Sequence, residues 1–313
     1  MSPLTFTERK SCVSCGANRS TAVWSATYDN GAVSRFMDRY GYAVDWSPEL
    51  GKKPISLLCC TNCSMLYHEH ILDEESLERL YSDWIDENQI NTLTDDLEDV
   101  NSPAAKFRDA ADNVRHLVRL NRLIAASGYD PSRPWRVLDF GCGAAEFLKQ
   151  ASLFGFETWG VDFSTTRAAQ ALNQQISIIS SLREFNDVAT EPVHAVTMFQ
   201  VLEHLDDPRR TLFELADVLV DDGILIIEVP DCSNVTVPRT FEEFRNVHPL
   251  EHINAFTPET LTALVQSTGF TKINPGPAHV TDRPEALVRS ELTRFYEPKR
   301  TNQYFRKGSP TSL

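Results

Sequence analysis

The sequence predicts an α/β protein, with a doubly wound and mostly parallel sheet and a small cysteine-rich module in front of it. Three observations carry this expectation. From residue 136 onward, short apolar runs alternate with helical patterns, which is the signature of strands joined by crossover helices. The first of these runs enters a Gly-x-Gly turn, and two C-x2-C pairs stand near the N-terminus.

The chain of 313 residues has room for one full α/β domain and a smaller module. Its 42% hydrophobic and 24% charged residues are ordinary for a globular protein. A net charge of −14 disfavours binding to a phosphate backbone, so nucleic acid is not the expected partner. The first ten residues contain no apolar core of a signal peptide, and no run approaches the length of a membrane span. A soluble cytoplasmic protein with no membrane partner is expected.

Four of the seven cysteines form the pairs Cys12-Val13-Ser14-Cys15 and Cys60-Thr61-Asn62-Cys63. In a reducing compartment such pairs bind metal more often than they oxidise, and four soft thiolates suit tetrahedral Zn²⁺. Cys12, Cys15, Cys60 and Cys63 are therefore the expected ligands of a structural zinc ion. His68 and His70 are spare candidates. The long separation of the two pairs requires a subdomain folded between them, for which Tyr28 to Trp46 supply aromatic residues.

The elements follow in order. Residues 1–80 read as the metal module, Leu72 to Tyr81 as a helix that follows it, and 81–104 as an acidic linker or lid. Apolar residues recur at helical spacing from Ala104 to Ala126, with Gly128 and Pro131 as stops. Strands are expected at 136–140, 157–162, 176–179, 194–199 and 223–229. Helices are expected from Ala144, from Thr165, at 207–219 and at 258–267. The nucleotide-site domain covers 105–285, and 286–313 is an extension whose last dozen polar residues are expected to fray.

Arg136-Val137-Leu138-Asp139-Phe140-Gly141-Cys142-Gly143 reads as the first strand and glycine turn of a Rossmann-like nucleotide site. The third glycine of a dinucleotide fingerprint is replaced by Glu146. A carboxylate in the first helical turn opposes a pyrophosphate at that helix end, whereas a ligand with a positive charge and no phosphate meets no such objection. S-adenosylmethionine (SAM) is such a ligand. Asp162 closes the second strand, where an acid can accept hydrogen bonds from both ribose hydroxyls. Further on, Gln200-Val201-Leu202-Glu203-His204-Leu205-Asp206-Asp207-Pro208 follows the fourth strand.

With this segment the chain resembles the class I SAM-dependent methyltransferases, in the branch carrying "VLEHL-x-DP" after the fourth strand. The N-terminal knuckles followed by a Leu-Tyr helix resemble methyltransferases in which a zinc module precedes the catalytic domain, several of them acting in sugar biosynthesis. The resemblance implies that Asp139, Gly141, Gly143, Asp162, Phe163 and Gln200 bind SAM. It also implies in-line methyl transfer to a small-molecule acceptor. Ser64 departs from the pattern, in which glycine follows the second knuckle. His194 stands where the family often has an aspartate, and is expected at the surface. His204, His252 and His248 are the candidate general bases, with the segment from Asn246 to Pro258 resembling "EHINFF-T/S-P". Glu203 and His204 could instead serve structural roles. Related enzymes with Glu-x-x-Glu-His hold a divalent ion here, but Gln200 replaces the first carboxylate and is a weaker ligand for a hard cation.

Two other readings compete. A nucleic-acid methyltransferase would use the cysteine module as a clamp and Lys106, Arg108, Arg115, Arg119, Arg122, Arg133 and Arg136 as a basic stripe. A binding protein that kept the fold without catalysis would be expected to have lost Gly141, Gly143 or Asp162.

Overall fold

The structure is a computed structural model that describes residues 3–85, 103–130, 132–162, 176–235, 237–278 and 301–308. In chain order its strands are β1 (Phe6–Glu8), β2 (Ser20–Thr27), β3 (Pro54–Cys60), β4 (Leu66–His68), β5 (His70–Leu72), β6 (Arg136–Phe140), β7 (Glu157–Val161), β8 (Ser177–Ile179), β9 (Val193–Phe199), β10 (Leu219–Glu228), β11 (Asn254–Ala255), β12 (Phe270–Ile273) and β13 (Asn302–Lys307). The chain forms two compact units, one made of 1–108, 203–206 and 231–257, the other of 109–202, 207–230 and 258–313. Among the described residues no helix is long and apolar enough to cross a membrane.

The second unit is built on a seven-stranded sheet in the order β12-β13-β10-β9-β6-β7-β8. The five strands from β8 to β10 run parallel, and β13 lies antiparallel between β10 and β12. Parallel strands need both faces covered, and β9 accordingly has six buried residues in succession, Val193 to Met198. Leu117, Leu120, Ile124, Leu148, Ala195, Ile224 and Ile226 share one core. The helix Pro208–Val218 starts where the sequence places it, with the Asp207 side chain accepting from the Arg210 N–H and Pro208 in the first turn.

Three expectations need correction here. Residues 302–307 do not fray: β13 pairs on both sides, and Gln303, Tyr304 and Phe305 are 2% exposed or less; 309–313 lie outside the described residues. The mostly polar sequence of β13 hid a strand that is stabilised by non-local pairing. The helix after β6 begins at Glu146 rather than Ala144, because Ala145 occupies the left-handed region at φ 59°. His194 is buried, with Nδ1 accepting the Arg136 N–H at 2.9 Å. Burial pushes it down to about 4. The helix Leu182–Val188, capped by Ser181, had no counterpart in the sequence reading. The helix expected from Thr165, most of the lid, and 286–300 lie outside the described residues.

The first unit carries a four-stranded sheet, β11-β4-β3-β2, and the antiparallel pair β1-β5. The subdomain between the cysteine pairs contains the helix Gly31–Tyr40, opened by the Asn30 side chain and closed by Gly41 at φ 77°. Tyr28, Phe36, Met37, Tyr42, Trp46, Trp84, Phe244 and Leu250 pack into its core; each such burial stabilises by about 1.5–3 kcal/mol. Residues 231–257 join this unit because β11 pairs with β4, Asn254 opposite Tyr67 and Ala255 opposite Leu66.

Candidate functional site

In the second unit, β6 delivers the glycine turn. Gly141 adopts φ 77°, and a Cβ there would lie 2.3 Å from Val201 Cγ2, so only glycine fits. Gly143, at φ 50°, is different: a Cβ there would meet no atom within 4 Å, and the backbone is open to a ligand. The Gly143 N–H donates to Asp162 Oδ2 at 2.8 Å, which fastens the turn to the end of β7. Asp139 is buried and accepts from the Thr197 hydroxyl at 2.7 Å. Burial raises its carboxyl to about 7; the Thr197 bond opposes that rise and the Asp162 charge adds to it. Gln200 directly follows β9 at φ 56°, and its N–H donates to the Glu228 carbonyl at 2.8 Å. Phe163 lies outside the described residues. The strand ends thus bring Asp139, Gly141, Gly143, Asp162 and Gln200 to one edge of the sheet, where ligands bind in open α/β folds.

In the first unit, Glu203, His204 and His252 present ligand atoms within 4.8 Å of one another. Glu203 is 1% exposed, and its Oε1 lies 3.9 Å from His204 Nε2. The His204 and His252 rings meet edge to face at 4.7 Å. Burial, reinforced by His204, pushes His252 down to about 3, so its imidazole is neutral at pH 7. His204 Nδ1 meets the Tyr81 hydroxyl at 3.2 Å. Tyr81 belongs to a π-helical turn, Leu80–Trp84, a conformation that is often found at functional sites.

The turn that carries Glu203 and His204 is held from far away in sequence. Arg9 Nη1 donates to Asn254 Oδ1 at 2.9 Å and to the Ile253 carbonyl at 3.1 Å. Asn254 Nδ2 in turn donates to the Leu205 carbonyl at 2.7 Å. His248 stands in a different environment from the other two histidines. It is 1% exposed; Nδ1 accepts the Leu250 N–H, Nε2 lies 3.0 Å from the Tyr42 hydroxyl, and that hydroxyl donates to Glu251. Sequence reading found the histidines but not Tyr81, Arg9 or Asn254.

The four cysteine sulfurs lie within 4.8 Å of one another, with Cys12 and Cys63 3.5 Å apart and Cys15 and Cys60 3.6 Å apart. The two knuckles share one geometry. Gly16 donates its N–H to Cys12 O and Ser64 to Cys60 O, and both residues are left-handed, at φ 72° and 61°. Ser64 therefore makes the turn that glycine usually makes. His68 turns elsewhere, with Nε2 donating to the Val247 carbonyl at 3.0 Å.

Comparison with known proteins adds to this geometry. A family model described as a methyltransferase domain matches residues 104–274. A ubiquinone biosynthesis O-methyltransferase from Glaesserella parasuis serovar 5 (strain SH0165) is 28% identical over 103 residues, spanning 29% of this chain and 44% of that protein. Among solved structures, the plantazolicin methyltransferase BpumL with a triazolic analog and SAH aligns at TM-score 0.47 and 16% identity, over 74% of this chain and 95% of that one. The N-methyltransferase NodS from Bradyrhizobium japonicum WM9, with S-adenosyl-L-homocysteine (SAH), aligns at TM-score 0.42 and 16% identity, over 75% and 98%.

Proposed function

Because this chain belongs to the methyltransferase-domain family, we propose that it transfers a methyl group from SAM to a small-molecule acceptor, with a zinc ion as a structural element of its N-terminal module. The observation that carries the reading is the glycine turn. Its backbone is open at Gly143, locked at Gly141 by Val201, and tied to an acid at the neighbouring strand end. Glu146 in the first helical turn fits a cationic ligand without phosphate better than a dinucleotide.

The residues fit SAM. Gly141 and Gly143 would face its methionine end with bare backbone, Asp162 would accept from the ribose, and Gln200 would close the site at the end of β9. Bound there, SAM supplies a methyl group on a sulfonium, which an acceptor lone pair can displace. The protein's own work is alignment, a source of roughly 7–11 kcal/mol of barrier lowering. Where the acceptor loses a proton, His204 is the candidate to receive it, a contribution of about 10²–10⁴-fold, with the buried His252 ring packed against it. Tyr81 orients His204, and His248 holds the segment that carries His252.

The cysteine cluster fits zinc by donor type, number and closure. A closed four-thiolate shell stabilises the fold and leaves no coordination position for chemistry.

A small-molecule acceptor is supported by the acidic chain and by the fate of the basic stripe. Arg133 and Arg136 pair with Glu191, Arg115 pairs with Asp112, and Arg119 is buried. The relative's name, an O-methyltransferase of ubiquinone biosynthesis, points the same way. A metabolite screen with methyl-labelled SAM tests the proposal. Label appearing in a small molecule, and not in RNA or DNA, supports it; steep salt-dependent transfer to RNA overturns it.

A further inference from the structure

The carboxyl end of β10 carries an acid that none of the roles above uses. Glu228 is the last residue of β10, and its side chain is 38% exposed. Oε1 accepts from Gln200 Nε2 at 3.4 Å, Oε2 accepts from Asn302 Nδ2 at 2.6 Å, and His116 Nε2 lies 3.8 Å from Oε2. Behind this carboxylate the network is buried. His116 is 4% and Tyr304 2% exposed, His116 Nδ1 is 2.5 Å from the Tyr304 hydroxyl, and Arg119 donates to that hydroxyl at 3.4 Å.

The His116 ring is held on both sides, by the Tyr304 hydroxyl at Nδ1 and by Asn302 Nδ2, 3.3 Å from Nε2. Two amide N–H groups, from Gln200 and Asn302, thus converge on one carboxylate, with the buried His116 ring beside it. Burial opposes the charge, yet His116, Gln200 and Asn302 together hold Glu228 below the ordinary carboxylate range. An acid held ionised in this way is a poor proton acceptor and a good partner for a positive charge.

Its place along the sheet edge says which ligand it meets. The order β7, β6, β9, β10 sets Asp162, the glycine turn, Gln200 and Glu228 side by side. At a strand spacing of about 4.8 Å, Glu228 lies roughly 14 Å along the edge from Asp162. With the ribose at β7 and the methionine end at β6, the end of β10 is left for the acceptor. We infer that Glu228 is an acceptor-recognition residue that binds a protonated amine on the methyl acceptor and rejects an anionic group at the same place. This rests on the methyltransferase reading.

The test uses the full chain saturated with SAH and three phenols that differ in one terminal group: tyramine (amine), tyrosol (alcohol) and 4-hydroxyphenylacetate (acid). Wild type is expected to bind tyramine at least tenfold more tightly than the acid, with tyrosol between them. Glu228→Gln should bring that ratio close to one, and Glu228→Asp should keep most of it, with matching circular dichroism showing that both variants are folded. An unchanged ratio in Glu228→Gln, or no measurable tyramine binding by wild type, overturns the inference. So does a Glu228→Gln protein that loses SAH affinity but keeps 5′-methylthioadenosine affinity, because the carboxylate then serves the cofactor's own ammonium. Failure of wild type to bind SAH is a separate result, which removes the methyltransferase reading and this inference with it.

Discussion

Val201 stands where any side chain at position 141 would have to go. A Cβ on Gly141 would lie 2.3 Å from Val201 Cγ2 and 3.2 Å from Cγ1. The residue that follows Gln200 at the end of β9 thus fixes the shape of the turn at the end of β6, and the steric lock and the ligand-facing backbone are parts of one device.

Gly141→Ala should therefore destabilise by about 1–3 kcal/mol, from overpacking and left-handed strain together. Adding Val201→Ala should restore the steric share and leave the conformational share. Urea unfolding of the single and double variants measures this, and strictly additive losses would show that the two residues do not interact.

Chelation should release one zinc ion per chain, and Cys12→Ser or Cys63→Ser should lower the metal content and the thermal stability of the N-terminal unit. Removal of a structural site of this kind costs folding energy directly. Elemental analysis of freshly purified protein checks it; wild type lacking zinc and every similar ion contradicts the ligand assignment.

Asp139 predicts a pH effect whose sign is fixed. Burial holds its carboxyl near 7 in the folded chain, against an ordinary value of 3.8. Between these values the folded protein keeps a proton that the unfolded chain has released, so stability falls as pH rises from about 4 to 7. Asp139→Asn cannot ionise. It should match wild type near pH 4 and exceed it at pH 7.5 by up to a few kcal/mol, at roughly 1.4 kcal/mol per unit. Denaturant midpoints across that range, without cofactor, decide the matter.

His204→Ala and His252→Ala should lower turnover while leaving SAH affinity nearly unchanged, because the lost interaction belongs to the transition state. Near-normal turnover in both, combined with inactivation by a chelator that leaves the zinc module loaded, would favour an ion held by Glu203, His204 and His252. Near-normal turnover with no effect of chelation would leave alignment alone as the source of catalysis.

The parts legible in the sequence are those with local signals. The short, largely apolar runs of β6 and β9, the glycines at 141 and 143, the Asp207-Pro208 start and the cysteine pairs each announce themselves within a few residues. The parts that were not legible depend on distant partners. β13 is polar in sequence and is a strand because β10 and β12 flank it. Arg9 reaches Asn254 across most of the chain. His248 reads like its neighbour His252, and only packing against Tyr42 and Glu251 separates the two. Glu228 reads as the end of a strand, because the partners that give it meaning, His116 and Asn302, are far away in sequence.

The most direct test of the central claim is a calorimetric titration of SAH into the wild-type chain and into Asp162→Ala. Wild type should bind one SAH per chain. The variant, folded by circular dichroism, should bind 10- to 100-fold more weakly, as expected for the loss of hydrogen bonds to a charged group, about 1.5–3 kcal/mol. No binding by wild type, or equal affinity in the folded variant, would contradict the account.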